Sequence, residues 1–257
     1  MKVSVVIITY NEEDRLEDAL KSSLLIADEI VVVDSFSTDR TIEISRKYNA
    51  RIFRHKFVDY GSQKNLAMNK AANEWILNLD ADERVSTELA ESISKLKQFP
   101  RPPADGFLIK RKTAYLGRWI RHSGWYPDKK LRLFRKDKSR WDGRVHERLM
   151  LSGKLCQLDG EILHYTYRNI SDHVNRINRY SAMQAEDIVK KNKQLLLLRL
   201  LLLPPITFFR FYIWKAGILD GFPGFVIALI SSWGTAMKYL KAIEIKRNER
   251  IEKSVRV

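Results

Sequence analysis

Cysteine is almost absent from this sequence, since Cys156 is the only one in 257 residues. A single cysteine excludes an internal disulfide and a zinc site built from several cysteines, and it suits a reducing cytoplasm. The glycine-rich motifs GxGxxG and GxxxxGK[ST] are also missing, so no phosphate-binding glycine loop is predicted. A long apolar leader is missing too: the run in MKVSVVIITYNEE spans only about seven residues, which predicts a first strand and not a signal peptide.

What is abundant is positive charge, with a formal net charge of +15. Between Lys110 and Arg148 there are fourteen Lys or Arg residues against four acids, and between Lys238 and Val257 there are seven against three. Such a field attracts anions, whether nucleic acid, phosphorylated sugars or an acidic membrane surface, unless it is simply a solvated face. The balance of 45% apolar and 30% charged residues predicts a folded chain, either one large domain or a domain with an appendage.

Strands and helices alternate along the first 80 residues. Continuous β-branched or apolar runs predict buried strands, at Val3–Thr9, Glu29–Asp34, Arg51–Phe53 and Trp75–Leu79. Three helices are predicted between these strands: one over 12–25, one whose start is capped by Ser37 or Thr38, and one over 62–72. Alternation of this kind predicts an α/β fold with a parallel sheet and crossover helices.

Polar residues follow three of these strands, at the carboxyl ends where open parallel sheets bind ligands. They are Thr9-Tyr10-Asn11-Glu12, Asp34-Ser35 and Asp80-Ala81-Asp82. Because no glycine loop is present, we expect a divalent cation to neutralise bound phosphates. Asp80 and Asp82 offer the oxygen ligands that Mg²⁺ or Mn²⁺ prefers, and the ion would bridge them to a diphosphate. The alternative is an ordinary turn before a helix capped by Ser86.

The segments VSVVIITYNEE, EIVVVDSFSTDRT, GSQKNLA and WILNLDADE, in this order and spacing, closely resemble the family 2 glycosyltransferases of the GT-A fold. With KLRLFRK and WDGRVHE, the chain resembles more narrowly the bacterial branch that adds sugars to lipopolysaccharide cores. The resemblance covers roughly residues 1 to 170. It implies a Rossmann-like, mostly parallel sheet flanked by helices, a nucleotide-diphosphate sugar donor, Mg or Mn, and inversion at the anomeric carbon.

The resemblance also implies roles for individual residues on the donor side. Thr9, Tyr10, Asn11 and Glu12 should line the nucleotide pocket, Asp34 should bind the base or ribose, and Asp80, with Ala81 beside it, should lie near the ribose and sugar. Asp82 is implied as the main metal ligand. Gln63 and Lys64 open a helix and are expected to face the donor, although a solvated helix start is an equal alternative for Gln63.

Inverting transfer needs a base that takes the proton from the acceptor hydroxyl. The resemblance assigns this role to Glu147, with His146 orienting it or contacting phosphate, while a surface ion pair between the two is the plain alternative. Asp128 is the competing base. His164 is a candidate for a further metal ligand, or else a buried structural histidine.

The acceptor region is predicted from the basic stretch 110–148, which is interleaved with Tyr115, Trp119, Trp125, Tyr126 and Trp141. Aromatic rings stack on sugars, and Arg or Lys hold phosphates. An anionic glycolipid, such as a lipopolysaccharide core, fits both features. A single-stranded nucleic acid also would, but the Asp-x-Asp motif and the sheet favour sugar transfer, so we expect no nucleic acid partner.

After residue 170 the chain becomes helical and apolar. LLLLRLLLL (195–203) and GFPGFVIALISSWGTAM (221–237) are shorter than a spanning helix of about 20 apolar residues, and charges interrupt any longer run.

We therefore predict a catalytic domain over 1–170, with a nucleotide-sugar half over about 1–100 and an acceptor half over about 101–170. A helical region over 171–257 is predicted to lie at the membrane interface, peripheral on the cytoplasmic face of the inner membrane. Packing on the catalytic domain, a homo-oligomer contact or a true span are the alternatives. A true span would accord with the rival function, sugar transfer to a polyprenyl phosphate.

Overall fold

The computed structural model describes residues 1–143 and 147–255 and divides the chain into two compact units. The first unit contains Met1–Lys112 and Pro127–Tyr165, and the second contains Thr113–Tyr126 and Thr166–Val257. The strands are β1 Val3–Thr9, β2 Glu29–Asp34, β3 Arg51–Arg54, β4 Trp75–Asn78, β5 Glu83–Val85, β6 Gly106–Tyr115, β7 Arg118–Trp119, β8 Asp128–Arg135, β9 Ser139–Asp142, β10 Arg148–Leu151 and β11 Leu155–His164. The helices are α1 Leu16–Ser23, α2 Thr41–Lys47, α3 Tyr60–Lys70, α4 Thr87–Lys97, α5 Ile170–Lys190, α6 Leu196–Phe209 and α7 Phe222–Val255.

The first unit is built on a sheet whose strand order is β3-β2-β1-β4-β8-β6-β11-β5. The four strands predicted from the sequence form its parallel half, in the order β3-β2-β1-β4. The predicted α/β fold with a Rossmann-like parallel sheet is therefore confirmed. The sheet continues through β8 and β6, which run antiparallel to their neighbours.

Three of the parallel strands, β1, β2 and β4, are buried on both faces, as continuous apolar runs require, whereas the edge strand β3 is partly exposed. Along β1, Val5 and Ile7 pack into one core cluster with Leu16 and Leu20 of α1, whereas Val6 packs into a second cluster with Ala67 of α3. The alternation follows from the two-residue period of a strand. Helices therefore cover both faces, and the polar residues after the strands are left at one edge.

In the second unit, helices pack around two apolar clusters. One joins Tyr115 and Ile120 to Val226 and Ile227 of α7, and the other joins Ala185 of α5 to residues of α6 and α7. Helix α5 is capped by the side chain of Asn169, which accepts a hydrogen bond from Asp172 N at 2.8 Å.

Helix α6 leaves most of its apolar side chains exposed. Leu197, Leu201 and Phe209 are 67%, 71% and 62% exposed, and Trp214, just beyond the helix, is 89% exposed. Within the described residues one segment, Leu196–Trp214, has the length and composition to cross a membrane, and only 6% of it is buried.

Candidate functional site

The ends of β1 and β2 bring the first group of predicted site residues together. Thr9 pairs with Asp34 in the strand register, and Thr9 Oγ1 donates a hydrogen bond to Asp34 Oδ1 at 3.3 Å. Asp34 is fully buried and also accepts hydrogen bonds from the backbone N and the hydroxyl of Ser37. Protein donors therefore occupy its carboxylate in this structure, and a contact with a base or ribose stays a prediction.

The loop after β1 lies against the loop after β2. Asn11 adopts a positive φ of 53°, its N–H donates to Ser37 Oγ at 2.9 Å, and its Oδ1 accepts from Thr38 N at 2.9 Å. Glu12 N donates to Thr41 Oγ1 at 2.9 Å. Tyr10 projects from this loop and is 61% exposed. This edge therefore combines a rigid backbone with one accessible aromatic ring.

Asp80 lies between two cations. Its Oδ2 accepts from Arg132 Nη2 at 2.9 Å, and its Oδ1 lies 3.6 Å from Lys64 Nζ. Burial alone raises the pKa of Asp80, but the charges of Arg132 and Lys64 outweigh it and hold that pKa far below the usual range. Asp80 is thus ionised at any working pH.

Arg132 is a site residue that the sequence reasoning missed. Its Nη2 also donates to Glu83 Oε1 at 2.6 Å, and both side chains are almost fully buried. Burial raises the pKa of Glu83, with Arg132 opposing that effect. Arg132 reaches this position because Leu133, its neighbour on β8, pairs with Leu77 of β4. The signal in the sequence was an arginine between two leucines in a strand.

The carboxylate of Asp82 faces the second predicted ligand, His164. His164 Nε2 lies 3.4 Å from Asp82 Oδ2, and Arg15 Nη1 lies 3.5 Å from the same oxygen. The pairing of β11 with β5 explains the approach, since His164 stands opposite Glu83 in the register. His164 therefore lies beside the Asp-x-Asp motif, and its role as a metal ligand stays a prediction.

These groups do not form a complete metal cage. In residues 1–143 and 147–255, no group of three or more His, Cys, Asp or Glu side chains is close enough to hold an ion. Asp82 and His164 present one carboxylate and one imidazole side by side. That is a partial ligand set, of the kind that Mg²⁺ completes with water and substrate phosphates.

Glu147 lies next to Lys64, with Glu147 Oε1 3.0 Å from Lys64 Nζ. Gly61 at the start of α3 permits the close approach of Gly143, because a Cβ there would lie 2.6 Å from Gly143 O. The other predicted member of this pair, His146, lies outside the described residues. The structure therefore joins the expected base to the Asp-x-Asp motif through one lysine.

Two predicted donor residues are placed differently from expectation. Gln63 is fully buried, and its side chain bonds Ser35 Oγ at 2.8 Å and His55 Nδ1 at 2.8 Å, so the solvated helix start is wrong. It ties α3 to the end of β2 instead. Ala81 is 5% exposed and packs into the apolar core, which leaves only its backbone to meet a donor.

The aromatic residues expected to stack on an acceptor are less accessible than predicted. Tyr115 is 1% exposed, and its ring packs against Trp125 and Tyr167 inside the second unit. Trp141, in the first unit, is 8% exposed. Tyr115 is therefore a core residue and not a sugar-stacking platform.

The family model described as "Glycosyl transferase family 2" matches residues 4–156, so the chain belongs to that family. An uncharacterised glycosyltransferase of Rickettsia typhi is 31% identical over 97% of this chain and 89% of its own length. The lipopolysaccharide core biosynthesis glycosyltransferase LpsC of Rhizobium meliloti is 28% identical over 98% of this chain and 97% of its own length. Among solved structures, S. aureus TarS 1–349 superposes with a TM-score of 0.45 and 20% identity, over 70% of this chain and 64% of that one.

The predicted family membership is thus confirmed. The protein is a glycosyltransferase, and the site at the carboxyl ends of the parallel strands is its candidate active site.

Proposed function

We propose that this glycosyltransferase moves a sugar from a UDP-sugar, with inversion at the anomeric carbon, to an anionic glycolipid of the lipopolysaccharide core type. The observation that carries the proposal is a pair of ion pairs made by Lys64, one with Asp80 of the Asp-x-Asp motif and one with Glu147. It links the group expected at the donor to the group expected at the acceptor. Similarity to LpsC over nearly the whole length of both chains supports the acceptor class.

The donor nucleotide is assigned to the edge formed by the loops after β1 and β2. Tyr10 offers an exposed ring against which a base can stack. Asn11 is held through its backbone N–H, which donates to Ser37 Oγ, and through its side-chain Oδ1, which accepts from Thr38 N, so contacts within the protein fix this edge. Asp80, next along the sheet, is ionised and partly exposed, and it can accept hydrogen bonds from ribose or sugar hydroxyls.

A divalent cation, Mg or Mn, is assigned to Asp82 and His164. The two ligand atoms are 3.4 Å apart and their side chains are 18% and 12% exposed, a separation that one small ion between them would accommodate. The ion would stabilise negative charge on the leaving diphosphate. Arg15, 3.5 Å from Asp82, supplies a further positive charge on the same side.

Glu147 is assigned as the base that takes the proton of the acceptor hydroxyl. The competing candidate, Asp128, is held by Arg111, whose Nε and Nη2 donate to Asp128 Oδ2 at 3.0 and 2.7 Å. Burial raises the pKa of Asp128, but Arg111 and Lys130 together lower it below its usual range. Asp128 pairs with two cations, Arg111 and Lys130, whereas Glu147 pairs with Lys64 among the described residues, so we take Asp128 as the weaker proton acceptor of the two.

We assign the acceptor to the lipids of the membrane. The protein is assigned to the cytoplasmic face of that membrane. The basic stretch 110–148 suits the phosphates of a glycolipid, and the exposed apolar side chains of α6 suit the interface of a bilayer. A peripheral attachment would place the site beside a lipid-anchored acceptor. Because Leu196–Trp214 also has the length to span, transfer to a polyprenyl phosphate is the second candidate.

The experiment is a screen in two stages. Nucleotide-sugars are first tested for hydrolysis by the full chain with and without Mn²⁺, which identifies the donor. The active donor is then offered with a truncated lipopolysaccharide core or with a polyprenyl phosphate, and the anomeric configuration of the product is read by NMR. Transfer to the core with inversion is expected. Transfer only to the polyprenyl phosphate would replace the acceptor assignment, and retention of configuration would refute the mechanism.

A further inference from the structure

Three consecutive residues of α3 fasten that helix to three different parts of the first unit. Gln63 bonds Ser35 and His55, at the ends of β2 and β3. Asn65 bonds the backbone of Trp141 twice, as donor to its carbonyl oxygen at 2.9 Å and as acceptor from its N–H at 3.0 Å. Lys64 lies between these two anchored neighbours, so the backbone position from which its side chain extends is fixed.

Lys64 is one cation placed between two carboxylates. Its ammonium lies 3.6 Å from Asp80 Oδ1 and 3.0 Å from Glu147 Oε1, and it stands 4.6 Å from the centre of the Trp141 ring. The Lys64 side chain is 8% exposed, so water screens these interactions little.

The two carboxylates differ in what else holds them. Asp80 has a second cation, Arg132, at 2.9 Å. Glu147 has no other hydrogen-bond or ion-pair partner among the residues that the structure describes. If Lys64 moved away, Asp80 would stay paired with Arg132, whereas Glu147 would lose the ion pair that the structure gives it.

We propose that Lys64 is a shared cation that leaves Glu147 for the diphosphate of the donor, so that donor binding releases the base. This rests on the proposed role of Glu147. A carboxylate engaged by an ammonium accepts a proton poorly, and a diphosphate, which carries more charge than one carboxylate, competes for that ammonium. The donor is therefore bound first, and the acceptor hydroxyl meets an available base only in the donor complex.

The test is a double-mutant cycle on UDP affinity, measured by calorimetry at saturating Mn²⁺ with the full chain. Glu147→Gln removes the competitor for Lys64 and is expected to tighten UDP binding by about threefold or more, within the coupling range of contacting residues. Lys64→Met is expected to weaken UDP binding. In Lys64→Met, the additional change Glu147→Gln should have no effect, because the cation for which Glu147 competes is gone.

The matched control is Asp28→Asn, which removes another carboxylate of the same unit that is paired with Lys97 and not with Lys64. It should leave the UDP affinity within about twofold. Equal tightening by Asp28→Asn and Glu147→Gln, or tightening by Glu147→Gln that persists in Lys64→Met, would mean general electrostatics and would overturn the proposal.

A spectroscopic signature separates this role from a merely structural one. Since Lys64 lies over the Trp141 ring, UDP binding should change the tryptophan emission of the wild type, and the change should be lost in Trp141→Phe. Lys64→Arg, which keeps the charge, should retain a UDP-dependent change and most of the transfer activity, whereas Lys64→Met should lose both. Unchanged emission in the wild type under saturating UDP would show that Lys64 does not move.

Failure of the base assignment gives a different pattern. If Glu147→Gln kept full transfer activity, Glu147 would not be the base, yet the binding cycle would still report whether Lys64 is shared. If Glu147→Gln abolished transfer while the effects of the Lys64 and Glu147 substitutions on UDP affinity were additive, Glu147 would keep its role as the base. The sharing of Lys64 between Glu147 and the donor would then be refuted.

Discussion

His164 Nε2 lies 3.4 Å from Asp82 Oδ2, although His164 ends β11 whereas Asp82 lies in the turn before β5, far away in sequence. The first prediction follows from this pair. Asp82→Ala and His164→Ala should each abolish the part of UDP affinity that depends on Mn²⁺, because a single remaining protein ligand leaves the ion under-coordinated. Calorimetry of UDP binding with Mn²⁺ and with chelator measures that part.

His122→Ala is the matched control, since His122 belongs to the second unit and pairs with Asp220. It should leave the Mn²⁺-dependent part unchanged. Equal UDP affinity with and without Mn²⁺ in the wild type would remove the metal assignment altogether.

The second prediction concerns the base. Glu147→Gln should retain UDP binding and lose transfer by about 100-fold or more, since an amide cannot accept the proton and general bases contribute on the order of 10²–10⁴-fold. Single-turnover transfer with the identified donor measures the loss. Asp128→Asn is the comparison. A larger loss in Asp128→Asn than in Glu147→Gln would make Asp128 the base.

The third prediction concerns the buried pair of Arg132 and Glu83. Arg132→Met should lower the free energy of unfolding by about 3–5 kcal/mol, because Glu83 is fully buried and would lose its closest cation. Urea denaturation measures the change. Arg135→Met on the same strand is the control: Arg135 pairs with Asp137 in a more exposed setting, so about 0–1 kcal/mol is expected. Similar losses in both variants would contradict the buried-pair argument.

The parallel half of the sheet was predictable because its information is local. Two of its strands are continuous apolar runs, VSVVIIT and EIVVVD, and the alternation of strands with helices predicts parallel pairing. The site residues after these strands were predictable for the same reason, since the carboxyl ends meet at one edge.

What could not be predicted depends on contacts between distant segments. Arg132 enters the site only because β8 pairs with β4, which no local pattern reveals. Helix α2 was expected to be capped by Ser37 or Thr38, but it begins at Thr41. Ser37 is instead bonded to Asp34, and Asp39 accepts from Thr41 N at 3.0 Å. Side chains near a helix start have several acceptors within reach, and the tertiary fold selects among them.

The fourth prediction concerns the stability of the second unit at low pH. His173 is buried, and its Nδ1 lies 2.8 Å from Tyr115 Oη. Burial lowers the pKa of His173 to about 4, from about 6.5 in the unfolded chain, with Asp172 opposing the shift. Between these values the unfolded state binds more protons, so stability falls as the pH falls through this window, by at most about 3 kcal/mol.

Thermal melting from pH 7 to pH 4 measures this loss, and His173→Gln provides the comparison because glutamine does not titrate. The melting temperature of the variant should vary less with pH between 6.5 and 4 than that of the wild type. Parallel curves for the two proteins would show that His173 carries no pH dependence.

The fifth prediction concerns the membrane. Leu197 and Leu201 lie four residues apart on α6, so they share one face of the helix, and both are largely exposed. Burial of a leucine side chain contributes about 1.5–3 kcal/mol, so Leu197→Glu and Leu201→Glu should each weaken binding to anionic liposomes by about tenfold or more. Leu24→Glu is the matched control, because Leu24 is a comparably exposed leucine of the first unit, and it should leave flotation unchanged.

Basic neighbours such as Arg210 and Lys215 add an attraction of roughly 1 kcal/mol each that salt screens, so high salt should release part of the bound wild type, as expected for a peripheral protein. Retention through both high salt and alkaline wash would instead show that Leu196–Trp214 spans the bilayer. If the wild type failed to float at all, the exposed face of α6 would be left to a contact between copies of the chain, which sedimentation would then reveal.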